Sequence, residues 1–236
     1  SRQIEIADGG VFAQKNGSLA DSEFVADSES AESIEASDYT LQYYPNDGNE
    51  NDNEVETSDK EFLGGGAVSE LQFVDDGPGN DTESTSGDGD DDLELDASRE
   101  VGALTVNRSG ASTLDLTSGP SDETERTLTV TGGSDLTAGT VNNGTLQTEG
   151  DVTIDGGNIG NSATLSFAGS SDQSLSLNGD EELGNLSLAK TTPEGEVVPR
   201  VTVTGGGLDT DPDNTNGSEN QLSLSNGLLV IEGEND

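Results

Sequence analysis

The chain has no cysteine, no histidine, no methionine and no tryptophan, and it carries only three Tyr and five Phe and eight basic residues against 49 acidic ones. Each absence excludes something. Without cysteine there is no disulfide framework, and the redox compartment cannot be read from thiols. Without histidine and cysteine the common general base, the thiol nucleophile and the usual transition-metal ligands are missing, and Ser-His-Asp chemistry is excluded. The lack of Lys and Arg clusters removes nucleic acid and anionic membrane surfaces as partners, because both are bound through such clusters. No apolar run approaches the ~20 residues that cross a bilayer. Residues 1–30 lack the basic start and apolar middle of a signal peptide; with Ser1 as first residue, the expectation is that a leader or anchoring piece has been removed.

What is present is charge of one sign. The net charge is −41, and repulsion among so many carboxylates works against a compact state at low ionic strength, where the Debye length is ~30 Å at 0.01 M salt against ~3 Å at 1 M. Scarce Lys with abundant Asp, Glu, Ala, Thr and Gly resembles the proteins of halophilic microbes; an acidic extracellular marine protein is the other reading.

Leu, Ile, Val and Phe make up only about a fifth of the residues, close to the level at which disorder is the default. They are not scattered, however. Leu128 and Val130, Val152 and Ile154, Leu165 and Phe167, Leu175 and Leu177, Leu186 and Leu188, Val201 and Val203, and Leu222 and Leu224 are spaced by two, the period of a strand with one buried face. Between these words stand Thr131-Gly-Gly, Asn142-Asn-Gly, Asp155-Gly-Gly-Asn, Ala168-Gly-Ser-Ser, Asn178-Gly-Asp, Thr204-Gly-Gly-Gly and Ser225-Asn-Gly, residues that tolerate the positive φ of tight corners.

The pattern predicts an all-β chain folded as a parallel β-helix (β-solenoid), with an antiparallel β-sandwich as the alternative because Asn-Gly is also a hairpin signal. The small aromatic content and the repeated theme of turn and short strand, without a helical crossover, favour the solenoid. Two textures divide the chain. Residues 1–98 hold 27 of the acidic residues and read as an acidic, β-rich N-terminal segment, either first coils or a separate assembly region; residues 99–236 read as regular β-helix.

The words Asn143-Gly-Thr-Leu, Asp151-Val-Thr-Ile, the run from Thr164 to Leu175, Asn185-Leu-Ser-Leu and the run from Leu222 to Leu228 resemble the right-handed parallel β-helix repeats of large secreted and surface-attached bacterial proteins, including adhesins and autotransporter-like passengers. The resemblance covers about residues 128–229. It implies a structural or adhesive role outside the cell or on its surface, and it carries no catalytic residues to transfer.

Two features point to ligands or partners. Asp209, Asp211, Asp213 and Glu219 place carboxylates at alternating positions of one loop, as in oxygen-rich sites for calcium. The match to an EF-hand is imperfect, since Asn214 stands where Gly is expected and Asn220 holds the twelfth place. Asp88, Asp90 and Asp92 form a second such set, and in a chain this acidic a solvated polar loop reads the same way. The apolar strands near the termini, Ile4 with Ile6 and Leu228, Leu229, Val230 and Ile231, are candidates for assembly, because a solenoid has open ends that must be capped or paired. Six sequons, at Asn16, Asn80, Asn107, Asn143, Asn185 and Asn216, permit glycans without requiring them.

The expectation is a non-enzymatic extracellular structural protein, a homopolymer subunit of a surface filament joined by strand pairing between copies. The alternatives are an adhesin module of a larger protein that binds glycans or a host or cell surface, and a carbohydrate-active β-helix enzyme using paired carboxylates.

Overall fold

The computed structural model describes residues 10–14, 38–44, 55–57, 61–62, 68–75, 92–108, 112–117, 124–178, 183–205 and 221–232. Their strands, in chain order, are β1 (Val11–Gln14), β2 (Tyr39–Tyr43), β3 (Val55–Glu56), β4 (Val68–Val74), β5 (Leu93–Glu94), β6 (Arg99–Val101), β7 (Ala103–Asn107), β8 (Thr113–Asp115), β9 (Thr127–Val130) and β10 (Ser134–Ala138). They continue as β11 (Thr140–Asn142), β12 (Thr145–Thr148), β13 (Val152–Ile154), β14 (Asn158–Phe167), β15 (Gln173–Leu177), β16 (Leu183–Ala189), β17 (Arg200–Gly205), β18 (Leu222–Asn226) and β19 (Leu228–Ile231). There is no helix among the described residues.

Every strand pair among them is parallel, which excludes the sandwich and makes the fold an all-β parallel solenoid. One sheet stacks nine strands in the order β1-β2-β4-β7-β10-β13-β15-β17-β19. The other folds on itself at β14: Asn158 and Ile159 pair with Thr140 and Val141 of β11, while Thr164 to Phe167 pair with Thr145 to Thr148 of β12. Each full coil therefore has three sides, one in the first sheet and two in the second. The tightest coil carries the chain from Leu136 round to its neighbour Ile154.

Parallel pairing in near-constant register turns the sequence period of two into ladders. Leu41, Leu71, Leu104, Ser134, Val152, Leu175, Val203 and Ile231 form one row in the first sheet, and Leu128, Leu146, Leu165, Leu186 and Leu222 another in the second. The inward side chains make one continuous core from Tyr39 to Val203. Each coil contributes few apolar groups, but each group is covered above and below, so a chain poor in hydrophobics still buries nearly all of those on its strands.

The corners explain the Gly and Asn words. Asn143 and Gly144 both take φ 53°, between β11 and β12. At the corner leading from the second sheet into the first, a Cβ on Gly102 would lie 2.5 Å from the Ser69 carbonyl oxygen, and one on Gly150 2.0 Å from that of Gly132. Successive coils pass too closely there for any side chain.

β2 and β4 of the N-terminal part belong to the same sheet as β7 and β10, and β4 pairs directly with β7 from Glu70↔Ala103 to Val74↔Asn107.

Candidate functional site: the last described coil and a buried polar corner

The first sheet has β1 at one edge and β19 at the other. Among the described residues β19 pairs only with β17, and β18 only with β16, so within them this coil is hydrogen-bonded on one side. Register sets Leu229 and Ile231 in line with the buried Val201 and Val203, and Leu222 and Leu224 in line with the buried Leu186 and Leu188. These are core positions by pattern. Yet Leu222, Leu224 and Ile231 are each between 46% and 56% exposed, with Leu229 partly packed on the core; Leu228, in register with the exposed Arg200, is exposed on the outward face. From Gln221 to Ile231 the coil carries no charged residue. At the opposite edge β1, Val-Phe-Ala-Gln, is also uncharged; Val11 is exposed, and Phe12 packs partly on the core beside Leu41.

Of the assembly residues expected from the sequence, Leu228, Leu229, Val230 and Ile231 thus lie on the terminal strand of the first sheet, whereas Ile4 and Ile6 lie outside the described residues. So do Asp209, Asp211, Asp213 and Glu219, and also Asp88 and Asp90. Asp92 lies among the described residues; its Oδ1 accepts the Thr113 backbone N–H at 2.6 Å, tying neighbouring coils. Among the described residues no cluster of three or more carboxylates is placed to hold a metal ion.

Sequence reasoning missed the polar groups inside the solenoid. Near the N-terminal end Tyr39 and Tyr43 are core residues over a buried Glu61: the Tyr39 hydroxyl donates to the Glu61 carbonyl at 2.6 Å, and the Tyr43 hydroxyl to its carboxylate. Burial first, and the Glu61 charge second, raise the Tyr43 pKa well above its usual 10.0. Beside them Arg99 lies 4.5 Å over the Phe62 ring and clamps Asp96, with Nη2 at 2.7 and 2.5 Å from its two carboxylate oxygens. This wall, with Asp38, Ser69, Glu100 and Thr131, lines an open groove of about 730 Å³.

A second polar cluster occupies a corner further along. Gln173 and Lys190 are 4% and 3% exposed. The Gln173 amide nitrogen donates to the carbonyls of Thr148 (3.2 Å) and Gly150 (2.6 Å). Lys190 Nζ donates to the Ala168 carbonyl at 2.7 Å and to Gln173 Oε1. Desolvation lowers the Lys190 pKa, against the opposing pull of Asp172 and Glu149. No period in the sequence marks this cluster: Gln173 opens β15 and Lys190 follows β16.

Compared with protein-family models, curated proteins and solved structures, the chain matches none. The class defined by the geometry is an all-β parallel solenoid whose last described coil is half exposed.

Proposed function

We propose that this chain is a structural protein of the cell exterior, a subunit that stacks end to end with copies of itself into a surface fibre. The observation that carries the reading is the last coil: core ladder positions left half exposed, on edge strands without charge, in a chain of net charge −41. Natural proteins blunt open sheet edges with charged side chains such as Lys, or with Pro, because an unblunted edge pairs with another strand. A second copy placing its β1 beside β19 would extend the sheet in the same parallel sense and set Phe12 in the row that ends at Ile231. Such a head-to-tail contact is heterologous and gives an open fibre when the rotation does not close. Concentrated salt, the setting suggested by the acidic composition, would screen repulsion between stacked polyanions.

A second reading rests on a different surface. Val197 and Val198 stand exposed in the loop between β16 and β17, on the flank and not at an end. Paired apolar residues there would suit an adhesin module that meets a glycan or a cell surface while its open end is covered by further coils of a longer protein.

Electron microscopy and light scattering in molar salt separate the two, using the chain and its Leu224→Lys variant. Fibres from the parent and monomers from the variant are expected, since a charge at a half-exposed position blocks stacking without disturbing the coils beneath. A parent that stays monomeric at high concentration in molar salt refutes the fibre and leaves the adhesin.

A further inference from the structure

The Gln173 and Lys190 pair sits where the second sheet turns into the first. Lys190 is fixed there by its backbone: its N–H donates to the Asn226 carbonyl at 3.0 Å, and its own carbonyl accepts from the Asn226 amide at 2.6 Å. Its stem is held as well, since a Cβ on Gly227 would lie 2.8 Å from Lys190 Cγ. Among the described residues the ammonium end reaches no carboxylate: its contacts there are the Ala168 carbonyl and the Gln173 carboxamide. The charged groups that face it, Asp172 and Glu149, are both exposed. A lysine enclosed in this way gives up its proton more readily than a solvated one, which makes it a nucleophilic amine.

The glutamine is equally constrained. Both N–H bonds of its amide are engaged by backbone carbonyls, so the carboxamide plane is set and the carbonyl is turned toward Nζ. The same two carbonyls favour positive charge developing on that nitrogen, and Ala168 favours it on Nζ.

We propose that Gln173 and Lys190 are the site of an intramolecular isopeptide cross-link. Neutral Nζ attacks Cδ of Gln173, a proton passes from Nζ to the departing amide nitrogen, the Cδ–Nε2 bond breaks, and ammonia leaves. One N–C bond replaces another, and no oxidant or co-reactant is consumed. The product joins the first residue of β15 to the residue following β16, closing one coil covalently. In a chain without cysteine an amide between side chains takes the place of a disulfide in tying the coil. This inference does not depend on the fibre reading.

Intact-mass spectrometry of the purified chain tests it, before and after incubation at about pH 9, where more of the amine is neutral. The expected result is a species lighter by one ammonia, about 17 Da, with tandem spectra showing a branched peptide that joins Gln173 to Lys190, and a parent mass equal to the sequence in Lys190→Arg. That variant keeps charge and length and is checked for its β signal by circular dichroism. Full sequence mass in the incubated, folded parent overturns the proposal. So does a deficit that persists in Lys190→Arg, which would mark succinimide formation at an Asn-Gly corner.

Discussion

At the scale of single residues, the polar groups inside the solenoid are held by partners about one coil's worth of sequence away, and their ionisation is tied to the fold. Tyr43 and Glu61 show this most directly. The hydroxyl supplies a hydrogen bond to a buried carboxylate, so Tyr43→Phe leaves that carboxylate with one donor fewer and is expected to cost about 1–3 kcal/mol at neutral pH. The pH dependence has a definite sign. The folded-state pKa is raised above the unfolded value of 10.0, so above pH 10 the unfolded chain releases a proton that the folded chain keeps, and stability falls as pH rises. The difference in stability between parent and variant should therefore be constant below pH 10 and shrink above it, as read from urea unfolding at a series of pH values. A gap that widens with pH would refute the assignment.

At the scale of elements, each strand is too short to be stable alone, and it is the ladder that makes it so. Leu136, fully buried in the middle of β10 where the tightest coil begins, stacks between Val106 and Ile154. Leu136→Ala is expected to cost about 2–5 kcal/mol, because the close-packed coils above and below limit collapse into the cavity. Leu224→Ala, at the same kind of position on the last coil but half exposed, is expected to cost under about 1 kcal/mol in the isolated chain. Chemical denaturation of both variants makes the comparison, and equal losses would show that the last coil is covered in solution. The alternating words were legible in the sequence: all seven pairs spaced by two fall on strands, and the Gly and Asn words between described strands fall at corners. The second side of each coil was less so. Strand β11 contributes one buried ladder residue, Val141, and a single apolar residue has no period, whereas Leu93 with Leu95 and Leu114 with Leu116 are buried pairs spaced by two on strands of only two and three residues.

At the scale of the molecule, the charge decides conditions more than architecture. A net charge of −41 opposes compaction of the chain through repulsion among its carboxylates. Raising salt from about 0.01 M to 1 M shortens the screening length from about 30 to 3 Å and is expected to stabilise the fold. If the gain is about 3 kcal/mol, the midpoint of thermal unfolding rises by roughly 6–12 °C for a chain of this size. Circular dichroism melts across that range check the prediction, and a midpoint independent of salt would mean that the carboxylates are spaced too widely to matter.

The sequence by itself determined the strand period, the corners and the sign of the charge, because each is a local property: alternation needs only neighbours two apart, a positive φ needs only Gly or Asn, and charge adds without regard to position. Tertiary structure decided what depends on register between coils. Only stacking could show that Leu222, Leu224 and Ile231 end their ladders half exposed while identical words one coil earlier are buried. Only the turn of one sheet into the next could bring Lys190 against Gln173, or Tyr43 against Glu61. Coils differ in length, so the residue that lies above another cannot be counted along the chain; it is set by which pairing fills the core on all three sides.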